Sequence, residues 1–252
     1  MAAIAMAGIA GRPALVTGVV GGIGHAIARA LADAGAEVIV TDRPGPELDA
    51  AAAALGLPHI PADLGRRADV AALEAALPRP PAILVTSAGG VLEQVGRPVE
   101  EVPEQDWRAI FAANVDSAFF LAQALAPAMK ADGWGRIVTI SSGAGLRASL
   151  TGIQAYAASK HALVGLTRQL AAEFGPFGIT VNSVAPGFVL SNPASRAQWD
   201  SYGEAGQAAI LSRISTRRLG RPEDIAAAAA FFCSDAAAWI TGQILSVDGG
   251  HA

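Results

Sequence analysis

The chain has 252 residues, 52% of them hydrophobic and 16% charged, with 18 basic against 22 acidic side chains and a net charge of −4. That composition excludes a disordered chain, and so few charges imply a surface that is partly apolar or covered by another subunit. No basic excess is present to neutralise a phosphate backbone, and the single cysteine, Cys233, with four scattered histidines makes neither an internal disulfide nor a recognisable metal cluster, so nucleic acid and metal are not expected and a reducing cytoplasm fits.

The opening MAAIAMAGIA lacks the basic start of a signal peptide and reads as a short leader into the first core strand. From there, short aliphatic runs alternate with longer alanine-rich amphipathic stretches, the pattern of βα units around a parallel sheet. Strands are expected at 14–17, 37–41, 83–86, 136–141, 180–184 and 243–247, with a short one near His59. The strongest helix candidates are 23–34, 104–131, 155–174 and 222–234, the last opened by proline and acids. The apolar run 225–233 falls short of the ~20 residues that span a bilayer, so no membrane crossing is expected. No linker or repeat divides the units, which predicts one domain over 1–252.

Between the first strand and first helix stands Thr17-Gly18-Val19-Val20-Gly21-Gly22-Ile23-Gly24. Glycines there let the backbone turn tightly and approach a pyrophosphate, which meets free N–H groups at the positive end of the helix. About 20 residues further on, the second strand ends in Asp42-Arg43; a carboxylate at this point accepts hydrogen bonds from the adenosine ribose and repels a 2′-phosphate, which favours NAD over NADP. Tyr156-Ala-Ala-Ser-Lys160 puts a phenol and an ammonium one turn apart on a helix, in a chain with only two tyrosines. A neighbouring cation lowers a phenol's pKa, so the pair reads as an acid/base unit.

These motifs resemble the short-chain dehydrogenases/reductases, in their form of about 250 residues. The resemblance covers nearly the whole chain and rests also on Asp63-Leu64, Ala88-Gly89, Asn114, Ser142, Pro186-Gly187 and Val247-Asp248-Gly249-Gly250. It implies a Rossmann-type, doubly wound α/β domain with a seven-stranded parallel sheet, a substrate lid at about 190–220 and a homotetramer with contacts near Trp239 and the C-terminus. It implies that Tyr156 exchanges a proton with the substrate oxygen, that Ser142 holds that oxygen, that Lys160 lowers the tyrosine pKa and binds the nicotinamide ribose, and that Asn114 supports a relay water. Cofactor contacts are implied for Gly18, Gly22, Ile23, Gly24, Asp42, Asp63, Leu64, Ser87, Ala88, Gly89, Tyr156, Lys160, Pro186, Gly187, Val189 and Ser191.

Three departures stand out. Thr86-Ser87 replaces the family's paired asparagines, which puts sheet stabilisation in doubt. Ser142 lies one residue further from Tyr156 than usual, leaving Ser141 as an alternative. Ser191 stands where threonine is common and keeps the hydroxyl. His25, His161 and Cys233 read as non-catalytic. The polar segment 190–220, with Arg147, Gln154 and Arg196 nearby, suits a small sugar or polyol; Gln154 is a candidate substrate contact beside Ser142 and Tyr156. The alternatives are an NADPH-dependent 3-oxoacyl-(carrier protein) reductase, against which Asp42 argues and for which Lys130, Arg136 and Arg168 are the only evident docking cations, and a non-catalytic dinucleotide-binding scaffold.

Overall fold

A computed structural model describes residues 7–92, 94–149 and 151–250. Six parallel strands form one sheet in the order β2-β1-β3-β4-β5-β6: β1 (Pro13–Thr17), β2 (Glu37–Thr41), β3 (Ile83–Thr86), β4 (Gly135–Ile140), β5 (Ile179–Pro186) and β6 (Ile244–Val247). The chain leaves β1 in one direction for β2 and in the other for β3, which opens a crevice at the carboxyl ends of these strands. The seventh strand shrinks to a single bridge between Val40 and His59. Its segment makes two backbone hydrogen bonds to Val40 on β2 and one to Asp42 just beyond it, and Pro58 and Pro61 have no N–H to extend the ladder.

Successive strand residues alternate between two cores. Ala14, Val16, Ile83, Val85, Val138 and Val184 pack beneath helices α1 (Gly22–Asp33), α2 (Pro46–Leu55) and α9 (Pro222–Cys233), whereas Leu15, Leu84, Ile137 and Val181 meet α3 (Arg67–Ala76), α5 (Ser117–Asp132) and α6 (Gln154–Phe174). Burial of both faces accounts for the continuous apolar strands ILVT and GRIVTI. Cys233 is fully buried in the first core, where burial pushes its thiol up to about 12.

The long predicted helix is divided: α4 (Glu104–Phe111) joins α5 through a π-helical turn, Ala112–Asp116. The stretch Glu104–Asp132 is long and apolar enough to cross a membrane, but Leu121, Ala122, Leu125, Ala126 and Met129 are committed to the second core. Two shorter helices, α7 (Pro193–Ser201) and α8 (Gly203–Arg213), occupy the region read as a lid. Of the expected leader, residues 1–6 lie outside the described residues, as do His251 and Ala252; Ile9 is wholly buried.

Arg136 corrects the expected surface cations. It is the second residue of β4, with its side chain 4% exposed, 4.3 Å from the centre of the Trp134 ring and 3.4 Å from Asp235. Burial lowers its pKa, and the Asp235 carboxylate opposes that. A guanidinium enclosed this way is no docking site for an acidic carrier.

Candidate active site

The turn after β1 packs against the loop after β3. Gly18 has φ +72°, and a Cβ there would lie 2.6 Å from the Ala88 nitrogen, which no side chain can satisfy. Thr17 Oγ1 accepts the N–H groups of Ser87 and Ala88 at 3.0 and 2.9 Å and locks the two loops together. The Thr86 hydroxyl, where the family pattern has an amide, is buried without a hydrogen-bond partner. Sheet stabilisation at this point therefore comes from Thr17.

Helix α1 has Gly21 at its N-cap, with no side-chain cap and no acid in its first turn, so its positive end faces the crevice. Gly18, Ile23, Gly24, Asp42, Asp63, Leu64, Ser87, Ala88 and Gly89 line that crevice, a continuous cleft of about 1390 Å³. Asp42 Oδ2 accepts the Val20 N–H at 3.0 Å and Oδ1 accepts the Arg43 N–H at 2.9 Å, which holds the carboxylate just after β2 on the glycine loop. An uncapped helix start, a glycine turn and a carboxylate beside it fit a dinucleotide with its pyrophosphate at α1 and its adenosine at Asp42. Gly22 does a different job from the one expected. It stands outside the cleft wall, and its N–H donates to the Ser191 carbonyl at 2.8 Å, anchoring the segment after β5.

At the other end, α6 opens with Tyr156 and Lys160 on the cleft. Lys160 Nζ donates to the Ile140 carbonyl at 2.8 Å and lies 5.6 Å from the centre of the Tyr156 ring. Burial lowers the ammonium to about 8. Burial raises the Tyr156 pKa, and a hydrogen bond from Ser142 lowers it. Ser142 also accepts the Ala144 N–H at 3.2 Å, which fixes its hydroxyl at the mouth of a short 3₁₀ turn. Ser141 is buried and donates to the Lys160 carbonyl at 3.2 Å, so of the two serines Ser142 is the one that meets Tyr156.

Asn114 sits in the π-helical turn and does not line the cleft. Its Nδ2 donates to the Gly90 and Ile110 carbonyls, both at 2.9 Å, and its Oδ1 accepts the Gly90 N–H at 3.1 Å. Both amide protons are thereby engaged, and the side chain ties the helix break to the loop after β3.

Pro186, Gly187, Val189 and Ser191 line the cleft between its two ends, steadied by the Gly187 N–H to Val247 and by a bridge between Val189 and Gly220. Beyond Tyr156 the wall is mixed. Arg147 reaches it and pairs with Asp248 at 3.8 Å, while Arg196 is exposed on α7 and outside it. Gln154, expected to touch substrate, also stands outside: its Nε2 donates to the Arg97 carbonyl at 2.8 Å and its Oε1 accepts from Gln94 at 2.9 Å. Tyr202 and Ile210, within the segment expected as a lid, and Phe188 also reach the cleft, whereas sequence reasoning missed Val91, Leu92 and Val95. Apolar residues carry no signal that separates a pocket wall from a core. Among the described residues no group of three or more metal-ligating side chains occurs.

A family model described as enoyl-(acyl carrier protein) reductase matches residues 18–252. The chain is 40% identical to D-threitol dehydrogenase of Mycolicibacterium smegmatis, over 96% of this chain and 93% of that protein. It is 39% identical to the 3-oxoacyl-(acyl-carrier-protein) reductase of Escherichia coli K12, over 95% of this chain and 97% of that one. Its structure matches, with a TM-score of 0.87 and 38% identity over 98% of both chains, a structure from Beutenbergia cavernae provisionally assigned as an NAD(P)-dependent gluconate 5-dehydrogenase with NADP bound at low occupancy. Matched end to end at this level of identity, the chain belongs to the short-chain dehydrogenase/reductase family.

Proposed function

We propose that this protein interconverts a secondary alcohol and its ketone on a small polyol, sugar or sugar acid, with NAD preferred over NADP. The observation that carries this reading is one cleft that holds the uncapped start of α1 and Asp42 at one end and Ser142, Tyr156 and Lys160 at the other. When bound, the nicotinamide supplies or accepts the hydride. Ser142 holds the substrate oxygen, and Tyr156 Oη gives a proton to it or takes one away. Lys160, cationic below about pH 8, stabilises the phenolate that forms when Tyr156 loses its proton. Asn114 fixes the helix break that borders the site. Asp42, seated on the glycine loop, leaves a negative charge where a 2′-phosphate would have to fit.

The named relatives that act on threitol and gluconate favour a polyhydroxylated substrate. A 3-oxoacyl thioester is the second reading, favoured by the apolar wall of Val91, Leu92, Val95 and Ile210 and by the relative that reduces it. The test is cofactor turnover by the purified protein on tetritols, hexitols, aldonates and 3-oxoacyl thioesters, each with NAD(H) and NADP(H). Turnover of a polyol or aldonate with NAD is the expected result; turnover confined to thioesters and NADPH overturns the substrate and the cofactor together. A homotetramer in the cytoplasm belongs to the same proposal, supported by the fully exposed Trp239, by Trp107 and Phe119 on the outer side of α4 and α5, and by the buried, unbridged cysteine.

A further inference from the structure

We propose that Gln94 is a positioning residue that sets the substrate end of the cleft by clamping the loop after β3 to the segment leading into Tyr156. Its side chain does not line the cleft, yet it is fully buried between two stretches that do: Val91, Leu92 and Val95 on one side, Thr151 and Ile153 on the other. One amide nitrogen holds the second stretch at two points, donating to the Gly152 carbonyl at 3.0 Å and to Gln154 Oε1 at 2.9 Å. Gln154 returns the tie by donating to the Arg97 carbonyl at 2.8 Å. The backbone closes the same seam, for the Gly96 N–H is shared between the carbonyls of Thr151 and Gly152 at 3.0 and 3.1 Å. Gly152 has φ +60°, and a Cβ there would lie 3.0 Å from the Gly96 Cα, so the two segments touch backbone to backbone.

The clamp is not the cheapest way to fill this space. Gln94 Oε1 is buried with no hydrogen-bond partner, a cost that an apolar side chain of the same length would avoid. What an apolar side chain cannot do is fix the distance between the two walls. Tyr156 lies two residues beyond Gln154, so a shift of the 151–154 segment moves the wall relative to the proton donor. Gln94 thus acts on where the substrate sits, through Gln154, without touching the reacting atoms.

The inference rests on the alcohol–ketone reading for its kinetic half and stands without it for the other. The variants are Gln94→Met and Gln154→Met, near-isosteric and unable to make the tie, and their combination. Expected are a KM for the alcohol raised about tenfold in each single variant, kcat within about threefold of wild type, unchanged NADH affinity by fluorescence, and a double variant that loses less than the two single losses combined, because the link between Gln94 and Gln154 is cut in both. Amide exchange of Gly96 is expected to quicken at least tenfold in Gln94→Met, with Tm unchanged to within a few degrees. An unchanged Gly96 exchange rate overturns the proposal, as does an unchanged KM or a loss shared equally by KM, NADH affinity and Tm. If the wild-type protein turns over no alcohol, the reaction reading fails, and the exchange rate alone decides for or against the clamp.

Discussion

The proposed reaction gives Tyr156 and Lys160 each a measurable signature. Tyr156→Phe removes only the hydroxyl that meets Ser142; kcat is expected to fall by about 10²–10⁴ with NADH affinity retained, measured by steady-state kinetics and cofactor fluorescence. Lys160 is a base whose folded pKa, about 8, lies below the ordinary 10.5. Between those values the unfolded chain holds a proton that the folded chain has released, so stability rises with pH across that window and is flat below it. Wild type is expected to gain up to about 3 kcal/mol relative to Lys160→Met from pH 8 to 10.5, read from paired denaturant unfolding curves. A constant difference over that range overturns the assignment. That these two residues share the cleft was legible in the sequence, because their types and spacing put them one turn apart on a helix. Gln154 was misread for the opposite reason: whether a glutamine faces a cleft or a neighbour depends on what the fold brings beside it, here Gln94.

Among elements, the strands were legible to within a residue or two, since burial on both faces leaves a continuous apolar run that polar turns cut short. The break between α4 and α5 was not, because an i→i+5 turn keeps the apolar rhythm on either side and has no residue signature of its own. Nor was the loss of the seventh strand, which two prolines reduce to a bridge. The start of α9 was legible from Pro222, Glu223 and Asp224, and it carries a prediction. Asp224 accepts the Arg221 N–H at 2.8 Å and pairs with Arg218, whose hydrogen bond chiefly lowers the carboxylate to about 2. Its contribution is present above pH 3.8 and is lost as pH falls toward 2. Asp224→Ala is expected to lower Tm by about 2–4 °C at neutral pH, the effect of losing a helix-start hydrogen bond worth about 1 kcal/mol, and the gap to wild type should close in acid.

For the whole molecule, the apolar composition and low charge find their counterpart at the surface, where Trp239 is 100% exposed and Val99 69%. Single exposed apolar residues are ordinary, but a fully exposed tryptophan in a chain with four is a candidate contact. Light scattering at micromolar concentration is expected to give four times the chain mass, and Trp239→Glu to reduce it; a monomeric wild type sinks the assembly. The sequence reached this only as a resemblance, since an interface between copies leaves no pattern within one copy beyond a surface too apolar for its size.

The π-helical turn between α4 and α5 also has a bearing on length changes. It holds one residue more than a regular turn, and one residue of an α-helix is about 100° of rotation. Removing a single residue from 112–116 would close the wide turn into a regular α-helix and leave Leu121 and Leu125 on the face they now turn to the second core, at the cost of the tie between Asn114 and Gly90. Removing one from α5 instead would turn that buried face by about 100° against its neighbours. A one-residue deletion is therefore felt at the cleft side in the first case and in the core in the second.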